Sequence, residues 1–502
     1  MNLQRIVKQF AASVTSQGII LLQQLLLPPI FIHAFGVSSY GEWLTLSAAV
    51  AYLSTLQFGM QTYVNNELTI RYNRGEMENY QVLQSTGLRM LVGIAIAATL
   101  LLSVVFWLPI SRWLHLSLTQ HETALAIFFL GLQVIANLPL NYFAGTFMVF
   151  GMSHRGTTWQ NVLRTMMVAT AAIMALLHCS FPAIAVGQFL MVLAYTFLIL
   201  FDLHRLKPDI FPTLRYWDTA MARSILTPSG YFGLIMICNF LAFQLPILML
   251  QRLLGPVAVV VFNIMRSIFS MGRQALGTFT FSLGPEVTNV YGRRDWDSLK
   301  TIYNLSEKIL FTAIPVVNFT ALLLSPILLR VWLHKPYLYS LNIYTLMAVI
   351  SATISVREHK SQFQVSTNEH HEMARNAFFS YLLMIVVSWF LVPHFGLPGF
   401  LWTWLVTEVV QAVYILHLNS QLLTGHGGVT MGPLRRIAVI IPAAALSCHW
   451  LAPHIDTLRL PLQGAVAMLY GVVLLGICAW TFQFREVLRR YAERRARQQA
   501  AI

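Results

Sequence analysis

The sequence predicts an all-α integral membrane protein of about fourteen transmembrane helices, two parallel six-helix repeats followed by two further helices. Three observations carry this reading. Some fourteen stretches are each long and apolar enough to cross a bilayer, which takes roughly 20 helical residues. Hydrophobic residues make up 57% of the chain and charged ones only 10%, against about 25% charged in a soluble domain. Lys and Arg gather on alternate connections. Lipid cannot satisfy free backbone groups, and long apolar runs do not alternate as barrel strands do, so the spans are helices.

Taken in order, the first span covers 10–34. Arg5 and Lys8 precede it and no small-residue cleavage site follows, so it is expected to be a retained helix and not a cleaved signal. It places Ser13, Gln17, Gln24 and Pro28 on one face, which either lines a cavity or makes interhelical hydrogen bonds; the mid-span proline frees a carbonyl and bends the helix. Span two (41–66) carries Ser47, Ala51, Ser54, Gln61 and Asn65 on one face. Spans three to six cover 81–109, 121–150, 158–178 and 182–201. Arg89 and Arg164 lie one or two turns inside the cytoplasmic ends of spans three and five, where each either snorkels or meets a ligand. The connection 202–224 is the longest and too short to fold as a soluble domain. Span seven is 225–251.

Span eight (257–287) holds the clearest signal. Asn263, Arg266, Ser270, Arg273, Gly277, Thr280 and Gly284 recur at alternating steps of three and four, a polar or small stripe about 100° wide. Close helix packing accounts for the small residues but not for the arginines. Arg273 is too deep to reach either headgroup layer, and against lipid it would cost at least about 2.5–3.5 kcal/mol. It is expected to face water, an acid or an anionic ligand; Arg266, one heptad nearer the outside, shares its stripe. Spans nine to fourteen follow at 302–332, 338–356, 377–395, 398–423, 436–453 and 461–482. Glu408, midway along span twelve, is read as the one deep acid, with Gln411 a turn on. It either pairs structurally with Arg273 or couples transport to an ion.

The net charge of +14 points first to nucleic acid, but its distribution excludes that reading. With the N-terminus inside, seventeen cationic side chains from Arg5 to Arg436, Arg357 and Lys360 among them, and the six arginines of the tail from Arg485 to Arg497 lie on inside segments. Five (Arg112, Arg252, Arg330, Lys335 and Arg459) lie outside. The asymmetry predicts an even number of spans with both termini cytoplasmic, and a basic tail lying against anionic headgroups. Cys179, Cys238, Cys448 and Cys478 fall in or beside apolar segments without paired spacing, as small hydrophobes. Glu369-His-His-Glu lacks the i, i+4 histidine spacing of a zincin. No phosphate-cradling GxxxxGK[ST] loop occurs, and no paired acids, nucleophile elbow or Cys/His dyad stands beside a plausible cavity, so neither an enzyme nor a cofactor is expected.

The chain repeats itself. A shift of 219 residues carries Gly36 onto Gly255, Tyr72 onto Tyr291, Glu76 onto Asp295 and Glu78 onto Asp297; a shift of 216 carries His154 onto His370. The predicted organisation is an N-terminal six-helix half (1–205), a C-terminal half (206–430) and two extra helices with a tail (431–502). Such halves commonly rock around a central site.

Particular runs carry a resemblance. Leu21-Leu-Gln-Gln-Leu-Leu-Leu-Pro-Pro-Ile, Phe35-Gly-Val-Ser-Ser-Tyr-Gly-Glu-Trp and Leu56-Gln-Phe-Gly-Met resemble the opening of the bacterial polysaccharide transporters. These include the O-antigen (Wzx-type) flippases, within the multidrug/oligosaccharidyl-lipid/polysaccharide (MOP) exporter superfamily. Gln244-Leu-Pro-Ile-Leu-Met-Leu-Gln-Arg-Leu-Leu-Gly, Leu283-Gly-Pro-Glu, the Arg293-Arg-Asp-Trp-Asp hairpin and Gly396-Leu-Pro-Gly-Phe extend it through the second half. The resemblance implies a flippase in the bacterial inner membrane that carries undecaprenyl-pyrophosphate-linked oligosaccharide, an O-antigen or exopolysaccharide repeat unit, to the periplasmic leaflet. Phosphate would meet Arg273 and Arg266, with Arg89 and Arg164 as further cations, and hydroxyls would meet Asn263, Ser270, Gln24 and Gln17. Membrane lipids, a polysaccharide polymerase and a chain-length regulator are the partners it implies. A lipid II flippase shares the fourteen helices and a cationic cavity. A small-molecule antiporter of the superfamily would have twelve helices and an early acid, and none occurs before Glu42.

Overall fold

In a computed structural model, residues 3–57, 60–292, 294–367, 369–423 and 428–483 are described; Arg293 and the tail from Arg485 to Arg497 lie outside them, and the side chain of Arg5 is likewise not described. Every long element is a helix. In chain order these are α1 (Leu3–Ala51), α2 (Met60–Asn73), α3 (Met77–Leu102), α4 (Ile110–Leu114), α5 (Gln120–Val149), α6 (Ser153–Leu176), α7 (Phe181–Leu206), α8 (Thr219–Phe243) and α9 (Leu245–Leu254). There follow α10 (Pro256–Ser282), α11 (Gly284–Gly292), α12 (Trp296–Val331), α13 (Leu341–Ser366), α14 (His371–Leu422), α15 (Met431–Asp456) and α16 (Leu460–Thr481). Most described residues of each of the fourteen apolar stretches fall on these helices. α1 and α14 each supply two spans, because Gly36 (φ 83°) and Gly396 (φ 64°) break the helical path.

Nine helical segments of the described chain are long and apolar enough to cross a membrane on length and composition alone. The protein is a multi-pass membrane protein: large apolar side chains such as Trp480, Phe197 and Leu446 stand exposed on the helices, where only lipid covers them at no cost. The long helices outside that group of nine are α6, α10 and α13. They are the ones that carry Arg164, Arg266 with Arg273, and a charged run at 357–360.

The chain divides into two compact units, Met1–Val260 and Val261–Ile502. In the first, α5 is the central helix and packs against α1, α3, α6 and α7. In the second, α12 packs against α13, α15 and α16, and α13 against α14.

The 219-residue shift holds in the local backbone. Gly36 (φ 83°, ψ 170°) and Gly255 (φ 84°, ψ −179°) adopt one conformation. Both hairpins close in the same way: Gly75 N–H donates to Tyr72 O and Glu76 N–H to Arg71 O, as Arg294 N–H donates to Tyr291 O and Asp295 N–H to Val290 O. His115 (φ 51°) and His334 (φ 54°) form a third left-handed pair at the same spacing. Each ends a Trp-Leu-His run, Trp113 to His115 and Trp332 to His334.

The helix that contains span ten runs past 356, since α13 continues to Ser366. Arg357 and Lys360 therefore belong to a helix and not to an inside loop. The charges that seemed to end the span are tolerated there because every one is paired.

Candidate functional site

The first unit holds a cavity of about 650 Å³ walled by both limbs of α1 and by α5, α6 and α7. Its α5 wall is polar by periodicity: Gln133, Asn137 and Asn141 stand four residues apart, on one helix face. Gln23 projects from α1, Ser47 and Ser54 from the segment after Gly36, Gln160 and Arg164 from α6, and Gln188 from α7. Arg164 is the only charged group among the described residues that line it. Its Nη1 donates to Ser16 Oγ at 3.3 Å. α6 begins at Ser153, so Arg164 sits about 16 Å along the helix.

The amides are only partly engaged. Asn137 Nδ2 donates to Gln133 O (3.0 Å), Gln188 Nε2 to Met167 O (3.3 Å), and Gln160 Nε2 reaches Asn141 Oδ1 at 3.5 Å. The buried Gln133 Oε1 has no hydrogen-bond partner among the described residues, a condition that calls for a ligand or water donor. The wall thus offers carbonyl and amide groups suited to hydroxyls, and one guanidinium suited to phosphate.

Other sequence-predicted residues go elsewhere. Before Gly36, the polar lining side chain of α1 is Gln23, with Ser16 beside Arg164; Gln24 does not line the cavity and Gln17 is exposed. The expected face was therefore off by one residue, about 100° of rotation. Arg89 is exposed and clamps the 208–218 connection, its Nε donating to Leu214 O (2.5 Å) and its Nη2 to Arg215 O (3.3 Å). Gln84 and Ser85 of the same helix bond Ile210 O and Tyr216 O. This polar face of α3 receives the loop.

In the second unit the α10 stripe is tied into the protein. Arg266 Nη2 donates to Asn263 Oδ1 (3.0 Å), with the guanidinium 5.4 Å from the Phe262 ring centre. Ser270 Oγ bonds Ser267 O one turn back. Gly284 allows a close approach of α11 to α13: a Cβ there would lie 2.9 Å from Gln362 Nε2.

Arg273 pairs with Glu358 at 2.5 Å, not with Glu408. Glu408 is fully buried and accepts from Arg357 Nε (2.7 Å), Tyr381 Oη (2.9 Å) and Trp404 Nε1 (3.0 Å). Nor is Glu408 the one deep acid. Glu307 of α12 is buried and lies 3.2 Å from Lys360 Nζ, itself 3.9 Å from the Tyr303 ring centre. Within four residues of α13 the successive rotation of about 100° per residue sends Arg357 to α14, Glu358 to α10 and Lys360 to α12. Three cations meet three acids. Of the partners open to Arg273 the structure shows an acid, Glu358 in place of Glu408, and each of these acids answers one cation, because charges buried singly would be far costlier than pairs.

At Glu369-His-His-Glu, Glu372 pairs with Arg375 (2.5 Å), Glu369 accepts from Tyr291 Oη (3.4 Å), and the rings of His370 and His371 stack at 5.0 Å. Burial, then the neighbouring His371, hold His370 below the usual histidine range.

No protein-family model and no curated protein matches this chain. Solved structures do. The lipid II flippase MurJ, in an inward closed conformation, is similar over 96% of this chain and 100% of its own, with a TM-score of 0.69 at 12% identity. A multidrug-resistance MATE transporter of the MOP superfamily, inward-facing, is similar over 84% of this chain and 96% of its own (TM-score 0.68, 14% identity). The MATE multidrug transporter DinF-BH is similar over 83% and 95% (TM-score 0.61, 15% identity). The fold is that of the MOP-superfamily transporters.

Proposed function

We propose that the protein is a flippase of the bacterial inner membrane. It moves undecaprenyl-pyrophosphate-linked oligosaccharide, an O-antigen or exopolysaccharide repeat unit, from the cytoplasmic to the periplasmic leaflet by alternating access. The observation that carries this reading is the lining of the first unit's cavity: one guanidinium, no carboxylate among the described lining residues, and a wall of amides and hydroxyls. A cation exporter would place an acid there. Arginine binds phosphate in a bidentate fork, and amides exchange hydrogen bonds with sugar hydroxyls without charge. Arg164 is assigned the phosphate, with Gln23, Gln133, Asn137 and Gln160 on the glycan. Arg266, Arg273, Asn263 and Ser270 are assigned to a second polar surface, Arg273 held in place by Glu358. Glu408, bonded to three donors, would couple to an ion only by releasing Arg357.

The test is glycan export in cells whose own exporter is deleted. Arg164→Ala should abolish export at normal membrane abundance, and Arg164→Lys should retain part of it, since charge persists while the planar fork is lost. Export by Arg164→Ala at the wild-type rate would overturn the assignment. A lipid II flippase remains a specific second reading, favoured by the more complete overlap with MurJ than with the multidrug transporters. Vesicle assays with defined carriers separate the two: transport of lipid II but not of an O-antigen carrier would select it.

A further inference from the structure

Two consecutive residues of α12, Ser306 and Glu307, face two consecutive residues of α13, His359 and Lys360, and all four side chains are buried. Lys360 Nζ lies 3.2 Å from Glu307 Oε2, and 3.9 and 5.2 Å from the ring centres of Tyr303 and Phe311. Beside this ion pair stands the His359 imidazole, its Nε2 3.4 Å from Ser306 Oγ and its ring edge-on to Phe363 at 5.7 Å. The Ser306 hydroxyl already donates to Tyr303 O (3.0 Å). Its oxygen is therefore left to accept, which assigns the imidazole hydrogen to Nε2. The lone pair on Nδ1 is then buried with no hydrogen-bond partner among the described residues.

The titratable groups gathered here are Tyr303 and Glu307 of α12 and His359 and Lys360 of α13. α14 adds a neutral amide, Asn419, whose Nδ2 donates to Lys360 O (3.0 Å), and α11 adds Val287 and Val290 to the apolar cluster around Tyr303 and Phe363. Arg357 and Glu358 turn away to Glu408 and Arg273. Among the described residues, Lys360 is the one charge that acts on the imidazole. Lys360 and Glu307 offset each other, so the packed cluster is neutral and holds a basic nitrogen whose lone pair is unused. Imidazole is the side chain that ordinarily changes charge between about pH 5 and 8. A proton on Nδ1 would occupy the lone pair but leave a net charge beside an ammonium, which is unfavourable until water reaches it. A ligand shifts an equilibrium by preferring one state, and this proton prefers the state in which α12 and α13 have parted. We propose that His359 is a proton-binding site: one solvent proton taken up at Nδ1 loosens α13 from α12, and its release lets the Glu307–Lys360 pair close again. The closed packing is thus favoured above the ordinary imidazole value of about 6.5 and is lost progressively as pH falls below it. The site follows from the packing alone, whereas its use to drive transport rests on the flippase reading.

Hydrogen exchange of the full chain in detergent tests this, compared at about pH 5.5 and about pH 8 after correction for the intrinsic rate. Amides at 303–311 and 355–363 should exchange roughly tenfold faster in acid, the equivalent of one pH unit of difference in proton affinity between the two states. Amides of α3, in the first unit, report the general effect of pH. In H359Q, neutral at every pH, the local response should vanish. K360M/E307L, which keeps the imidazole and lacks both charges, should retain it. A wild type whose two segments respond no more than α3, or an H359Q that responds as the wild type does, overturns the site; a water held at Nδ1 would give that result. Should H359Q fail to accumulate, K360M/E307L decides: loss of the response there places the proton on Glu307 and overturns His359. In cells, wild-type glycan export should fall when the proton gradient is collapsed, and export by H359Q should not respond. If export ignores the gradient while the exchange response holds, the proton site stands and only its coupling to transport fails.

Discussion

Lys360 and Arg273 both meet an acid, but in different surroundings, and the difference sets what each pair is worth. Lys360 and Glu307 have side chains 1% and 0% exposed, whereas Arg273 and Glu358 are 20% and 32% exposed. Removing one member of a buried pair strands a charge and costs about 3–5 kcal/mol, while replacing both can be neutral. Lys360→Met is therefore expected to lower the unfolding midpoint and membrane abundance sharply, and Lys360→Met with Glu307→Leu to recover most of the loss. Additive losses in the double variant would mean that the two residues act separately. Partly exposed pairs contribute only about 0–1 kcal/mol. Arg273→Ala should accumulate near the wild-type level, and any fall in export it causes should then reflect function. If Glu358→Gln restores export to Arg273→Ala, Arg273 has no direct contact with the substrate. The deep arginine at 273 was legible from its position in an apolar run. Its partner was not, since Glu358 lies 85 residues on in a stretch that reads as loop.

Two glycines at the turn between helical limbs separate backbone strain from packing. Gly255 has φ 84° and ψ −179°, a region almost closed to other residues, and a Cβ there would meet nothing within 4 Å. Gly255→Ala should thus cost only backbone strain, about 1–3 kcal/mol. Gly41 is helical, and its Cβ would lie 2.2 Å from Pro256 O, closer than atoms can approach. Gly41→Ala must push the helix after Gly36 off the start of α10. It is expected to be the more damaging of the two in thermal unfolding and in membrane abundance; the reverse order would place the cost in the turn. The Gly36/Gly255 pair was readable from spacing alone. The role of Gly41 was not, because nothing local distinguishes it from any other helical glycine until Pro256 arrives from 215 residues away.

For the whole molecule, orientation follows from charge. Even without Arg357 and Lys360, which lie on α13, the cations of the inside segments far outnumber the outside ones. Reporter fusions after about residue 115 and after residue 483 should give opposite readouts, outside and cytoplasmic; matching readouts would require an even number of spans between the two points. The loop after α4 is itself tied down, since buried Glu42 accepts from Ser117 N–H (2.8 Å) and its hydroxyl (2.9 Å). Glu42→Gln should weaken that anchor and raise amide exchange at residues 115–119 without changing topology.

Helix number, the repeat and the kinked limbs follow from the sequence by itself, because apolar length, glycine spacing and charge asymmetry are local quantities that lipid reads directly. Gln133, Asn137 and Asn141 are legible in the same way, as polar residues at steps of four in an apolar helix. Only the tertiary structure decided which charges remain available. Whether Arg164, Arg273 or Arg357 can meet a ligand depends on whether an acid from another helix has already met it, and pairing across 50 to 90 residues leaves no periodic trace. Burial makes charge neutralisation a property of the packed bundle and not of any one span.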